Sequence, residues 1–193
     1  MRPHALVFDC DGTLADTMPL HWQAWQIITR KYRIQFPEDR FYSLGGVPTR
    51  DILRMLAGEQ RRNDLDPLLA AKEKEEEYFK LLPQVGPVQE VVAIASEHRG
   101  RLPMGVASGG SQHAIERVLV HLGIRDWFQT VVTNEAVQRQ KPAPDIFLEA
   151  ARRLGVDPRL CRAYEDTDLG MQAIRSAGMD AVDVRLLRKA PIS

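Results

Sequence analysis

The sequence has few cysteines, almost no net charge and no long apolar run, and each shortage excludes a class of protein. Cys10 and Cys161 are the only cysteines in 193 residues, too few for a disulfide framework and typical of a reducing compartment. The 26 basic residues balance the 26 acidic ones, so no overall field favours nucleic acid or a membrane surface. No apolar run is long enough to span a bilayer. We therefore predict a cytoplasmic protein with neither a nucleic-acid partner nor a membrane partner.

The sequence does contain short apolar runs that alternate with amphipathic stretches. With 44% hydrophobic residues, a chain of this length can bury a substantial core. The predicted strands are 5–9, 104–108, 130–133, 161–165 and 181–184. The helices predicted between the later strands are 113–122, 145–154 and 168–177, followed by Gly123, Gly155 and Gly178. This alternation predicts an α/β fold with a doubly wound parallel sheet.

Residues 16–86 have a different pattern, with helical periodicity and no convincing strand. Trp22, Trp25 and Ile28 recur at helical spacing, and further helices are predicted at 50–57 and 68–82. We predict that 16–86 forms a helical cap domain, inserted into a Rossmann-like catalytic core made of 1–15 and 87–193.

The cap segment also carries a charged run at residues 72–77. On a helix, such a run usually forms a solvated face, with Lys72 one turn from Glu76. We therefore predict that this run faces solvent, and that Trp22 and Trp25 belong to the cap's own core.

The first chemical motif is Asp9-Cys-Asp-Gly-Thr13, which directly follows the first predicted strand. In extended geometry Asp9 and Asp11 project to one side and Cys10 to the other. Two carboxylates in one small volume suit a nucleophile paired with a general acid/base. Cys10 is a poor rival nucleophile, because burial and adjacent negative charges both suppress its thiolate. The pentapeptide is also compatible with a turn that has no catalytic role.

Three further motifs follow the later strands. In the loop 108–111, Ser108 and Gly109 are small enough for backbone N–H groups to approach an anion. Lys141 lies in a loop stiffened by prolines. Glu165 and Asp166 are consecutive acids that repel each other unless a cation compensates them, which favours a hard metal such as Mg²⁺. Because an open parallel sheet binds its ligands at the carboxyl ends of the strands, we expect these motifs to lie close together at that edge of the sheet.

Together these motifs resemble the haloacid dehalogenase superfamily, in its β-phosphoglucomutase-like branch with a helical cap after the first strand. The resemblance rests on Phe8-Asp-Cys-Asp-Gly-Thr-Leu-Ala-Asp-Thr17, the Ser108 loop, Lys141-Pro-Ala-Pro-Asp145 and the segment 164–174. Within that branch the chain is most similar to bacterial fructose-1-phosphate and 6-phosphogluconate phosphatases. The cap segment 45–50 and the compact ending 178–187 support this nearer match.

The resemblance implies a Mg²⁺-dependent phosphatase that hydrolyses small sugar phosphates. Asp9 would form an aspartyl phosphate, while Asp11 would protonate the leaving group and then activate water. The implied phosphate-binding residues are Ser108, Gly109 and Lys141, and Lys141 would also assist catalysis. The implied metal ligands are Asp9, the backbone carbonyl of Asp11, and Asp166, with Glu165 nearby. The implied substrate contacts of the cap are His21, Thr49 and Arg50.

Alternative functions remain open at this point. The mutases of this branch carry a basic residue where Gly45 stands here, which favours hydrolysis over transfer, although Arg50 lies close enough to substitute. Dehalogenase activity is disfavoured, because attack on an alkyl halide needs neither Asp11 as a general acid nor the acidic pair Glu165 and Asp166. The predicted cap argues against a receiver-type signalling module, which has no cap after its first strand. The presence of a candidate nucleophile, acid/base and metal pair argues against a catalytically idle sugar-phosphate binder. The sequence does not indicate the oligomeric state.

Overall fold

The structure is a computed structural model that describes residues 2–188. Its centre is a sheet of five parallel strands in the order β3-β2-β1-β4-β5. The strands are β1 (Ala5–Phe8), β2 (Met104–Ala107), β3 (Thr130–Val132), β4 (Cys161–Glu165) and β5 (Asp180–Asp183). The predicted α/β fold with a parallel sheet is confirmed. The predicted core segments 1–15 and 87–193 extend beyond the described residues at position 1 and at 189–193.

Helices cover both faces of the sheet. The four helices of the core are α5 (Gln89–His98), α6 (Gln112–His121), α7 (Asp145–Leu154) and α8 (Asp168–Ser176). Leu6 and Phe8 of β1 pack in one cluster with α5 and α6, whereas Ala5 and Val7 pack in another with α7 and α8. This alternation follows from the two-residue period of a strand that is buried on both sides. Gly155 adopts a left-handed conformation (φ 69°) and ends α7 as predicted.

Between β1 and α5 the chain forms a group of helices with its own apolar cluster. They are α1 (Met18–Tyr32), α2 (Glu38–Ser43), α3 (Thr49–Glu59) and α4 (Pro67–Leu81). Trp25 is buried in this cluster and Trp22 packs against it. The backbone N–H of Asp16 donates to the carbonyl of Gly86 (2.8 Å), so the two crossings between the sheet and these helices lie side by side. Within the described residues of 16–86 no strand is present.

The prediction that the charged run 72–77 faces solvent is wrong at Lys74, whose residue is only 5% exposed. Helix α4 packs against both α1 and α3. Its buried positions are Ala70, Lys74 and Tyr78, which recur every four residues and so share one face. Lys74 is therefore drawn into the interior by the packing of its helix. Within residues 2–188, no helix combines the length and the apolar character needed to cross a membrane.

Candidate active site

The candidate site is a cavity of about 340 Å³ between the carboxyl ends of the strands and helices α1, α3 and α4. Of the residues predicted from sequence, those lining it are Asp9, Asp11, His21, Thr49, Arg50, Ser108, Gly109 and Glu165. Lys141 and Asp166 do not line the cavity but contact residues around it. Motifs that are far apart in the chain therefore meet at one edge of the sheet, as expected for parallel strands.

Asp9 stands at the end of β1 and is bound to a buried lysine. Its Oδ1 accepts a hydrogen bond from Lys141 Nζ at 2.6 Å, and the same ammonium donates to Glu165 Oε2 at 2.7 Å. Burial, with the repulsion of Glu165, raises the pKa of Asp9 well above its usual range, although Lys141 acts in the opposite direction. Burial alone would lower the pKa of Lys141, but the two carboxylates outweigh it and raise that pKa. The lysine therefore remains cationic beside Asp9.

Three acidic side chains form a cluster that could hold a metal ion. Asp9, Glu165 and Asp166 each place a carboxylate oxygen within 4.8 Å of the others. Burial and the neighbouring Glu165 raise the pKa of Asp166 to about 7, as expected for a buried carboxylate crowded by another. Hard oxygen donors of this kind match the preference of Mg²⁺.

The hydrogen bonds divide the roles within this cluster. Glu165 Oε1 accepts from the backbone N–H groups of Asp166 (3.0 Å) and Thr167 (2.9 Å) and from the Thr167 hydroxyl, and Oε2 accepts from Lys141. Asp166 Oδ1 accepts only the Thr13 hydroxyl, at 2.9 Å, among the described residues. Asp9 and Asp166 are therefore better placed than Glu165 to offer oxygens to a cation, while Glu165 orients Lys141.

Gly12 allows the first loop to approach the acidic cluster. Its φ is +85°, and a Cβ at this position would lie 2.2 Å from Asp166 Oδ2. Any side chain would therefore be strained by the backbone and would also collide with the carboxylate. The glycine of the Asp9–Thr13 motif is required by this close approach.

Asp11 points away from the acidic cluster, toward α1. Its Oδ1 accepts from the Thr17 hydroxyl at 2.7 Å and lies 3.2 Å from His21 Nε2. Burial would raise the pKa of Asp11, but His21 and Thr17 outweigh it and lower the pKa. Between the two acids, Cys10 is packed in the apolar core. Burial and both flanking carboxylates raise its thiol pKa well above the usual range, in agreement with the sequence analysis.

Behind Asp11 lies a pair of residues that the sequence analysis missed. Lys74 Nζ is 2.6 Å from His21 Nδ1, and the Tyr78 ring stacks on the imidazole with centroids 3.9 Å apart. Burial lowers the pKa of Lys74 to about 8, and burial together with Lys74 lowers that of His21. His21 thus supports Asp11 rather than standing alone on the cavity wall. The four-residue spacing of buried positions on α4 is the signal that could have identified Lys74 and Tyr78.

The loop after β2 is held in shape by internal hydrogen bonds and touches the helical insertion. Ser108 Oγ accepts from the Gly110 N–H at 3.2 Å, and Asn134 Nδ2 donates to the Gly109 carbonyl at 3.0 Å. A Cβ on Gly109 would lie 2.2 Å from the carbonyl oxygen of Gly46. The insertion therefore approaches the predicted phosphate loop so closely that only glycine fits.

The remaining predicted residues lie at the start of α3. Thr49 and Arg50 line the cavity, and Arg50 Nε is 3.4 Å from Asp51 Oδ1 on the exposed side. On α4, Glu75 also lines the cavity and accepts a hydrogen bond from the Ser111 hydroxyl. The sequence analysis did not single out Glu75, because it lies within the charged run predicted to face solvent.

Comparisons with known proteins show which family the chain resembles. The family model for haloacid dehalogenase-like hydrolases matches residues 6–184. The chain is 45% identical to the fructose-1-phosphate phosphatase YqaB of Escherichia coli over 187 residues, covering 96% of this chain and 98% of that protein. It is 31% identical to β-phosphoglucomutase of Bacillus subtilis, covering 93% and 82%.

A solved structure shows the same fold. The β-phosphoglucomutase of Clostridium difficile superposes with a TM-score of 0.85 at 29% identity, covering 98% of this chain and 89% of that one. The family match spans nearly all of the described residues, including the sheet and the helical insertion. The chain belongs to the family of haloacid dehalogenase-like hydrolases.

Proposed function

We propose that this protein is a Mg²⁺-dependent phosphatase of small sugar phosphates, of the fructose 1-phosphate or 6-phosphogluconate type. The observation that carries the proposal is the pairing of two differently supported carboxylates on one cavity. Asp9 is bound to buried Lys141, and Asp11 is bound to His21 and Thr17. The relative with 45% identity is named as a fructose-1-phosphate phosphatase, which supports the same substrate class.

Asp9 is the nucleophile. Its carboxylate attacks phosphorus, the bond between phosphorus and the sugar oxygen breaks, and an aspartyl phosphate forms. Lys141 lies 2.6 Å from Asp9 Oδ1, so its positive charge reduces the repulsion between the carboxylate and the incoming phosphate. Ser108 and the N–H of Gly109 bind phosphate oxygens at the end of β2.

Asp11 transfers the protons. It gives a proton to the departing sugar oxygen and then takes one from the water that hydrolyses the aspartyl phosphate. The contacts with Thr17 and His21 favour the ionised form of Asp11, which suits the second step. A bound phosphate dianion repels that ionised form and raises the pKa of Asp11, which prepares it for the first.

The oxygens of Asp9 and Asp166 and the backbone carbonyl of Asp11 would hold Mg²⁺. When bound, the ion offsets the negative charge that gathers on the transferring phosphoryl group. Glu165 keeps Lys141 in position from the opposite side.

Residues 16–86 act as a cap domain over the core formed by 1–15 and 87–193. The adjacent crossings at Asp16 and Gly86 form a compact hinge, and the cap supplies His21, Thr49 and Arg50 to the substrate side of the cavity. Closure of the cap excludes bulk water until the sugar phosphate is seated.

Phosphate release from a panel of sugar phosphates with Mg²⁺ tests the proposal, using the wild type and Asp9→Asn. We expect the variant to lose at least about 10³-fold in kcat, because the amide does not replace the nucleophile. No release from any phosphate ester would refute the phosphatase proposal. Unchanged turnover by Asp9→Asn would refute the assigned nucleophile.

A sugar phosphomutase is the second candidate. Arg50 lines the cavity, and two of the relatives above are β-phosphoglucomutases. Conversion of β-glucose 1-phosphate to glucose 6-phosphate, without release of inorganic phosphate, would favour the mutase.

A further inference from the structure

We propose that Glu75 and Glu135 determine substrate specificity by excluding a second anionic group from the far end of the cavity. This inference rests on the proposed phosphatase function and narrows it to the fructose 1-phosphate type, because 6-phosphogluconate carries a carboxylate in addition to its phosphate. The preferred substrate is then a sugar that carries one phosphate and is neutral at its other end. Both carboxylates line the same cavity as Asp9 and Asp11.

Glu75 reaches the core from the helical insertion. It lies on α4 beside buried Lys74, is itself half-buried, and accepts a hydrogen bond from the Ser111 hydroxyl. Ser111 follows Ser108 by three residues, which is at most about 11 Å along an extended chain. The Glu75 carboxylate is therefore within reach of the remote end of a hexose whose phosphate is bound at Ser108.

Glu135 fills the position where an anion would otherwise bind. Helix α6 begins at Gln112, and the N–H of Gln112 donates to both carboxylate oxygens of Glu135, at 3.1 Å each. The Thr133 hydroxyl holds the same carboxylate at 2.6 Å. The amino end of a helix favours a negative charge, and here a protein carboxylate already supplies it. A second phosphate in this position would have to displace Glu135.

The cations around the cavity are not paired with these two carboxylates. Lys141 is shared by Asp9 and Glu165, and Lys74 is buried against His21. Lys72 and Arg50 also line the cavity, but among the described residues neither forms an ion pair with Glu75 or Glu135, and Arg50 contacts Asp51. The wall at Ser111 and Gln112 thus faces the substrate with negative charge. Hydroxyl groups of a sugar can donate hydrogen bonds to these carboxylates, whereas a phosphate or carboxylate is repelled.

The experiment compares kcat/KM for fructose 1-phosphate, fructose 1,6-bisphosphate and 6-phosphogluconate in the wild type, Glu75→Gln and Glu135→Gln. The neutral amide keeps the size of the side chain and removes its charge. Glu76→Gln is the matched control, since Glu76 is exposed on the same helix and does not line the cavity.

We expect the wild type to prefer fructose 1-phosphate to fructose 1,6-bisphosphate and to 6-phosphogluconate, each of which carries a second anionic group. In Glu75→Gln and in Glu135→Gln, kcat/KM for the bisphosphate relative to the monophosphate should rise about 10-fold, because one like charge has been removed from the wall. Glu76→Gln should leave the ratio within about twofold. The use of a ratio cancels any loss of folded protein.

Two results would overturn the inference. A wild type that hydrolyses fructose 1,6-bisphosphate as efficiently as the monophosphate contradicts it directly. If the ratio of kcat/KM for the bisphosphate to that for the monophosphate is unchanged in both Glu75→Gln and Glu135→Gln, the inference is also contradicted. Neither of these two results affects the proposed phosphatase function. A wild type that is inert toward every phosphate ester refutes the phosphatase proposal, and the specificity inference with it.

Discussion

Replacement of Lys74 by Met should make the protein more stable at neutral pH, even though Lys74 contacts the candidate site. Lys74 is buried, and its pKa falls from the usual 10.5 to about 8 because burial disfavours its charge. At a pH where the side chain is charged in both the folded and the unfolded protein, this change lowers the free energy of unfolding by about 3 kcal/mol. Met has a similar length and fills irregular apolar space well.

Several interactions reduce this gain. The variant loses the hydrogen bond between Lys74 Nζ and His21 Nδ1, which contributes about 1 kcal/mol. It also loses the contacts of the ammonium with the rings of Trp25 (5.9 Å) and Tyr78 (5.4 Å), which together contribute about 1 kcal/mol. We therefore expect Lys74→Met to raise the free energy of unfolding by about 1 kcal/mol at pH 7.

The difference should disappear at high pH. Below pH 8 Lys74 is protonated in both the folded and unfolded states, and the full cost applies. Between pH 8 and 10.5 the unfolded chain binds more protons than the folded one, so the stability of the wild type rises relative to the variant. By pH 10 most of the 3 kcal/mol is recovered, but the ring contacts of the ammonium are lost with its proton, so the two proteins should be about equally stable.

Urea unfolding of both proteins at pH 7 and pH 10 measures this loss of the difference in stability. Lys80→Met is the matched control on the same helix, because Lys80 is exposed and paired with Glu77. Its effect should stay within about 0.5 kcal/mol at pH 7. A difference between wild type and Lys74→Met that does not change with pH would refute the argument that burial of the charge destabilises the fold.

Two further predictions concern the loops around the site. Asp166→Asn should raise the thermal midpoint of the metal-free protein at pH 8 and abolish its increase on addition of Mg²⁺. The reason is that burial and Glu165 raise the pKa of Asp166 to about 7, so the metal-free fold loses stability as pH rises from about 4 to 7. An equal increase of the thermal midpoint on addition of Mg²⁺ in both proteins would contradict this prediction. Gly109→Ala should lower kcat/KM at least about 10-fold, because its Cβ would lie 2.2 Å from the Gly46 carbonyl oxygen and displace the insertion. Gly58→Ala, whose Cβ meets no atom within 4 Å, should retain activity, and equal losses in the two alanine variants would contradict the steric explanation.

The core of the site was predictable because its residues follow strands in the sequence. Asp9, Ser108 and Glu165 each lie at or just beyond the end of an apolar run, and a parallel sheet brings such positions to one edge. The five strands and the helices that follow them are short-range patterns, so hydrophobic period and glycine stops identify them. Whether Asp9 and Asp166 hold Mg²⁺ stays a prediction, although the acidic cluster is compatible with it.

The insertion was less predictable, because its contribution to the site depends on packing rather than on local pattern. The position of a residue within a strand–loop–helix unit indicates which side of the core it faces, whereas α4 lies in the insertion and packs against α1 and α3. Lys74 and Glu75 are adjacent in a run of charges that looks uniformly polar. In the fold, one contacts His21 and the other contacts Ser111.

Its buried charge distinguishes Lys74 from its neighbour on the same face of α4. Ala70, one turn away, is accounted for by the packing of the helix. Lys74 is not, since we expect an apolar residue in that place to stabilise the fold. Lys74 contacts His21, which contacts Asp11, and the charge of Lys74 lowers the pKa of both. If Asp11 transfers the protons as we propose, helix α4 takes part in setting its protonation.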